Sequence, residues 1–288
     1  MTMKTTEFVK NENRITVKQG GTDYSLETGR VYNLIMDRFT GPVLEADSTL
    51  ELPEKLYVTD KDKTFVKRVT NFFDKYCNNN LGVLLSGLKG SGKTLMSKQI
   101  AVEANLPIIV VDPCFPANQL NNFFLKFNQS VVVLFDEIEK NNYYWETNDL
   151  LPFLDGIQKS GKRLIIMTCN NDDKLSEYLK DRCGRIRYVK NFEGISGEMV
   201  INIVKDFIDN NDDYVDKLSS YIIDNVKVRS FDNIISLCKE IQIEGCPEDI
   251  DDVIECMNIA HEKDVKKPNK ADDKKIIVDP FNVSLAEL

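Results

Sequence analysis

Residues Gly87-Leu-Lys-Gly90-Ser91-Gly92-Lys93-Thr94 satisfy the pattern G-x-x-x-x-G-K-[ST] in full. Glycines at these positions let the backbone curl so that successive N–H groups point inward, toward an anion. Lys93 then reaches terminal phosphate oxygens, and the Thr94 hydroxyl is placed for Mg²⁺. An apolar run, Leu81 to Ser86, precedes the loop, and a helix-compatible run opens at Leu95. Strand, glycine loop and helix start is the context this chemistry requires, because the helix N-terminus carries positive potential. A glycine-rich turn without a ligand is the plain alternative. The full pattern in this context implies a nucleoside triphosphate.

A second group of reactive types follows. Val131 to Phe135 is apolar and ends in Asp136-Glu137. A carboxylate at the end of a strand beside a phosphate loop can hold Mg²⁺, which assigns Asp136. Glu137 is placed to polarise an attacking water. The next apolar run, Leu164 to Thr168, ends in Cys169-Asn170. Asn170 could touch a terminal phosphate or hold the water, or simply serve as a turn residue. Arg182, Arg185 and Arg187 surround Gly184. Such guanidinium groups can offset charge on a transferring phosphoryl group, or they can be solvated surface charges.

These groups need a scaffold, and the pattern between them supplies one. Strands are expected at 81–86, 106–112, 130–135, 163–168 and 185–189. Helices fall between them, at 95–104, 118–127, 149–159 and 173–180. Short apolar strands alternating with helices imply an α/β fold with a parallel sheet covered on both faces. Another helix is expected at 61–76. Residues 1–50 read as a small β-rich element, with a strand at 30–36. After 193 only amphipathic helices are expected, at 196–209, 214–225, 230–241 and 248–261. The expected organisation is therefore a β-rich element (1–50), a nucleotide-binding α/β unit (51–192), a helical lid (193–262) and a charged tail (263–288).

Composition narrows the classes of function. The chain has 288 residues, with 46 acidic against 37 basic side chains and a net charge of -9. A nucleic-acid-neutralising surface usually tips the balance the other way, so nucleic acid is not the favoured ligand. No apolar run approaches the ~20 residues of a membrane helix. The seven cysteines and one histidine form no paired C-x-x-C or zinc spacing, which suggests a reducing, cytoplasmic setting.

The ordered set GLKGSGKT, VVVLFDE, IIMTCNN and DRCGRIRY resembles the AAA+ ATPases. Together with Leu151 to Gly156, it is most similar to the branch holding the mitochondrial Rieske-protein translocase and the AAA proteases. The Lys-, Asn- and Asp-rich composition is also similar to that of bacteriophage-encoded ATPases. The likeness spans about 52–192 well and the helical segment loosely. It implies Mg-dependent ATP hydrolysis that drives remodelling of a protein or macromolecular complex. It implies Asn170 as sensor 1, and Arg182 and Arg185 as arginine fingers acting on a neighbour's nucleotide. That in turn implies a ring homo-oligomer, usually a hexamer. Arg229, opening a helix, falls where such proteins often carry a sensor-2 arginine. Gly87, Gly90, Ser91, Gly92, Lys93, Thr94 and Leu95 would contact ATP. The segment 113–119 departs from the family's aromatic pore loop, leaving Phe115 as a substitute or as core. A nucleic-acid-linked loader or packaging accessory, and a nucleotide-dependent scaffold with little turnover, are the other readings.

Overall fold

The computed structural model describes residues 7–11, 13–18, 25–77, 80–143, 147–155, 161–170, 184–208 and 211–259. Its centre is a single sheet of nine strands. They are β1 (Glu7–Asn11), β2 (Arg14–Lys18), β3 (Arg30–Asp37), β4 (Gly41–Thr49), β5 (Asn80–Gly87), β6 (Ile108–Val111), β7 (Val131–Phe135), β8 (Arg163–Cys169) and β9 (Tyr188–Phe192). Their order is β1-β2-β4-β3-β6-β7-β8-β5-β9. The five strands from β6 to β9 run parallel. Every residue of β7 and β8 is buried, as helices on both faces require.

The described strands of residues 1–50 join this same sheet. Within the segment, β1, β2 and β4 pair antiparallel, and β3 joins β6 in parallel, Val31 to Leu34 lying beside Ile108 to Val111. Sequence alternation reveals strands but not which sheet accepts them. The β3–β4 turn is built by Asp37, whose Oδ1 accepts from the N–H groups of Phe39 and Thr40, each at 2.9 Å. It leaves Phe39 96% exposed at the tip.

Helices α1 (Asp60–Tyr76) and α2 (Lys93–Ala104) pack on one face of the sheet. In α1, Val66, Val69 and Phe73 recur at helical spacing and are buried. Its start is fixed by a reciprocal cap between Thr59 and Asp62. On the other face lie α3 (Ala117–Phe124) and α4 (Thr147–Asp155). Here Phe115, Phe123, Phe124, Phe127 and Phe153 form an aromatic core. Phe115 is fully buried, so it serves as core and not as an exposed pore aromatic. Arg163 is buried against the same rings and donates to the Phe124 carbonyl. Burial pushes its guanidinium down to about 10.

The C-terminal helices are α5 (Gly197–Phe207), α6 (Asp212–Asn225), α7 (Phe231–Ile243) and α8 (Ile250–Glu255). Each begins with a side-chain cap, from Ser196, Asn211, Ser230 and Asp249 respectively. Their inward residues, among them Ile203, Leu218, Ile222, Leu237 and Ile254, make a second core. The expected strand at 185–189 lies three residues later. The helix expected to reach 261 ends at Glu255. The helix at 173–180 and the tail at 263–288 fall outside the described residues. Among the described residues no helix is long and apolar enough to cross a membrane.

Candidate nucleotide site

The glycine loop sits at the C-terminal end of β5, where the sequence directs the chain into α2. Gly87 and Gly92 have φ of +124° and +99°, in the left-handed region that favours glycine. A Cβ at Gly87 would lie 2.1 Å from the Phe192 carbonyl oxygen, so this residue also lets β9 close on β5. Helix α2 starts at Lys93 with no side-chain cap. Its first N–H groups are thus left for another acceptor, which suits an anion. The Lys93 ammonium is folded back onto the loop, donating to the carbonyls of Gly87 (2.8 Å) and Leu88 (2.6 Å). Burial pulls its pKa below the usual lysine value, against the attraction of Glu139, Glu137 and Asp136.

Beside it the ends of β7 and β8 form one hydrogen-bonded cluster. Asp136 Oδ1 accepts from Thr94 Oγ1 at 3.3 Å and from Thr168 Oγ1 at 2.6 Å. The Glu137 N–H donates to Thr168 Oγ1 at 2.8 Å. Glu137 has φ of +49°, a strained backbone for a residue with a side chain, and this swings the carboxylate toward β8. There Glu137 Oε1 accepts from Asn170 Nδ2 at 2.7 Å, while Oε2 pairs with Lys140. These two donors hold the Glu137 carboxyl below the usual carboxylate range.

Two adjoining cavities meet at this loop and share Tyr57, Gly92, Leu95 and Phe231. The larger, about 520 Å³, has Lys93, Thr94, Glu137, Thr168 and Asn170 in its wall. Lys55, Lys89 and Lys98 also line it, giving the positive surroundings a polyphosphate needs. The smaller, about 190 Å³, is walled by Val58, Ile195, Met199 and Phe231. Phe231 and Tyr57 stack at 6.2 Å between ring centroids. The start of α7 therefore forms part of the wall over the glycine loop.

The site thus gathers Gly87, Gly90, Ser91, Gly92, Lys93, Thr94, Leu95, Asp136, Glu137 and Asn170. It does not gather Arg185 or Arg229. Arg185 is only 7% exposed, and its guanidinium donates twice to Asp155, at 2.7 and 3.0 Å. In the single chain this pairing ties the Arg185 segment to the end of α4. Arg229 precedes α7 by two residues, lines neither cavity and donates to the Ile223 carbonyl at 2.9 Å. Arg182 lies outside the described residues. Conversely, Thr168, Glu139, Tyr57 and Phe231 belong to the site's surroundings without having stood out in the sequence. Thr168 was legible in principle, since period-two alternation puts it on the same side as Asn170.

For Mg²⁺, Thr94 and Asp136 offer adjacent hard oxygen donors. Among the described residues no group of three or more His, Cys, Asp or Glu side chains could hold a metal. Two protein oxygens with water and phosphate completing the shell fits Mg²⁺, which seldom takes an all-protein cage.

A mostly parallel sheet with a glycine loop between its strand and helix defines a P-loop α/β nucleotide-binding fold. Residues 83–191, from β5 into β9, match the model of the ATPase family associated with various cellular activities (AAA). Among solved structures, the chain is similar to the FIGL-1 AAA domain in complex with ADP. That likeness has a TM-score of 0.49 and 16% identity, covering 74% of this chain and 82% of the other. A structure described as the basis for katanin self-assembly gives 0.48 and 15%, covering 68% and 72%. No curated protein matches the sequence.

Proposed function

We propose that the chain is an AAA+ ATPase, hydrolysing ATP to ADP and phosphate to remodel a protein or macromolecular complex. The observation that carries this reading is the meeting of Lys93 and Thr94 with Asp136, Glu137 and Asn170 at one cleft. In this reading residues 51–192 are the nucleotide-binding unit and 193–262 the lid, working in the cytoplasm. The N–H groups from Gly87 to Leu95 cradle the phosphates, and Lys93 swings from its loop carbonyls onto phosphate oxygens. The base enters the smaller cavity, against Val58, Met199 and Phe231. Thr94 and Asp136 would hold Mg²⁺, which when bound would neutralise phosphate charge. Glu137 orients water for in-line attack, with Asn170 fixing its carboxylate.

A ring, a hexamer by family analogy, would place the neighbour's Arg182 on the terminal phosphate. Arg185 would then act within its own chain, bracing that segment through Asp155. Supplied arginines of this kind are worth on the order of 10³-fold or more in rate. Substrate work would follow from hydrolysis changing the contact between lid and glycine loop.

The deciding experiment is ATPase rate against protein concentration, for wild type and Glu137→Gln, with size-exclusion runs with and without ATP. A per-subunit rate that rises with concentration, an inactive mutant and an ATP-dependent ring are expected. A constant rate in a persistent monomer would sink the ring, and an undiminished mutant would sink the base assignment. Stimulation by DNA and not by protein would move the function to a loader or packaging accessory.

A further inference from the structure

Glu139 stands two residues beyond Glu137, in the 3₁₀ turn Ile138–Tyr143 that follows β7. Its Oε1 accepts the backbone N–H of Asn170 at 2.9 Å. Its Oε2 is sealed from solvent and finds no hydrogen-bond partner among the described residues. An unsatisfied buried acceptor is costly, more so when charged. An apolar side chain of similar size would avoid that cost but could not hold the Asn170 main chain. Glu139 does not line either cavity at the glycine loop.

We infer that Glu139 is a positioning residue for the hydrolytic step, an inference that rests on the proposed role of Glu137. The acidic turn and the end of β8 grip each other twice. Glu139 holds the Asn170 main chain, and the Asn170 carboxamide in turn holds Glu137 Oε1. Releasing the first grip lets the β8 end shift, and the carboxylate of Glu137 loses its aim. Glu139 lines neither cavity but attracts Lys93, so nucleotide binding should change far less than turnover.

The test compares Glu139→Ala and Glu139→Gln in the full chain. Readouts are kcat, KM for ATP, melting temperature and hydrogen exchange at the Asn170 amide. Misplacing a reacting group by a small fraction of a nanometre costs roughly 10- to 100-fold in rate. The alanine variant should lose kcat on that scale, keep KM within about threefold, and exchange the Asn170 amide faster. The glutamine variant keeps an acceptor oxygen in place and should retain most of kcat and the slow exchange. Its melting temperature should stay close to that of the wild type, since the Asn170 N–H keeps its acceptor. An alanine variant with unchanged kcat and only a lower melting temperature would overturn the inference. So would a glutamine variant as damaged as alanine, since charge and not position would then matter. A wild-type chain that binds ATP without turnover would instead overturn the hydrolytic reading. The exchange measurement would then decide the Glu139–Asn170 tether by itself.

Discussion

The backbone N–H of Phe231 donates to the carbonyl of Gly90 at 2.8 Å, tying the first residue of α7 to the phosphate loop. The side chains reinforce this. A Cβ on Gly90 would sit 3.0 Å from Ser230 Cβ, and one on Gly92 3.0 Å from the Phe231 ring. The start of α7 and the glycine loop are therefore in direct contact, and a ligand at the loop would meet α7.

Phe231→Ala should weaken nucleotide binding without disabling chemistry. The ring stacks on Tyr57 and walls both cavities. Aromatic contacts of this kind contribute about 0.5–1.5 kcal/mol beyond buried area. A dissociation constant for ATP raised roughly tenfold, with kcat within about threefold, is expected. Titration with a fluorescent nucleotide checks it, and unaltered affinity would place the base elsewhere.

Lys93→Ala and Thr94→Ala should fail differently. Without Lys93 the phosphates lose their main cation, and affinity should drop about 100-fold whether or not Mg²⁺ is present. Without Thr94 the loop amides remain, so binding in EDTA should be near wild type. The increment gained on adding Mg²⁺ should then be lost. Calorimetry in both conditions separates the two, and equal losses in EDTA would contradict the metal assignment.

Arg185→Ala should act on stability before it acts on assembly. Removing one member of a fully buried pair costs about 3–5 kcal/mol. Asp155 keeps 29% of its side-chain surface, so a cost of about 2 kcal/mol is expected here. The melting temperature should fall by about 5 °C. Asp155→Ala should produce a similar fall, and the double mutant should be less than additive. A stable Arg185→Ala chain that still forms rings yet lacks ATPase activity would restore a role in the neighbour's site.

Asp62 should give the fold a measurable acid sensitivity. Burial works to raise its carboxyl, but hydrogen bonds from Lys190 and Thr59 outweigh burial and hold it below the usual value. A lowered folded-state value means stability that is present above the unfolded-state value, about 4, and lost as pH falls through the folded one. Asp62→Asn should therefore cost about 1 kcal/mol at pH 7, with the difference from wild type shrinking below pH 4. Thermal melts at pH 7 and pH 3 check this. An equal deficit at both would assign the loss to the cap geometry alone.

How much of this was legible beforehand varied with the physics. The glycine loop and Asp136-Glu137 are local signals: residue order alone places them at strand ends. The buried runs of β7 and β8 announced a sheet covered on both faces. The arginines were harder, because a guanidinium on a turn can face a neighbour, solvent or an acidic partner far away in sequence. In the single chain Arg185 meets Asp155, thirty residues earlier, a pairing with no local signature. Arg229 stood near a helix start, but which way it points depends on the Ile223 carbonyl. The grip of Glu139 on Asn170 likewise joins two strand ends and has no signature in either segment alone.

The placement of β3 beside β6 has a mechanical consequence. In the strand order, β3 is four positions from β5, so at ~4.8 Å per strand its axis runs about 19 Å from the phosphate loop's strand. Those positions are filled by continuous hydrogen-bonded ladders, with no flexible joint between them. Anything bound at the β3–β4 turn would thus be held rigidly by the sheet that carries the phosphate loop, and any motion of one would be shared by the other.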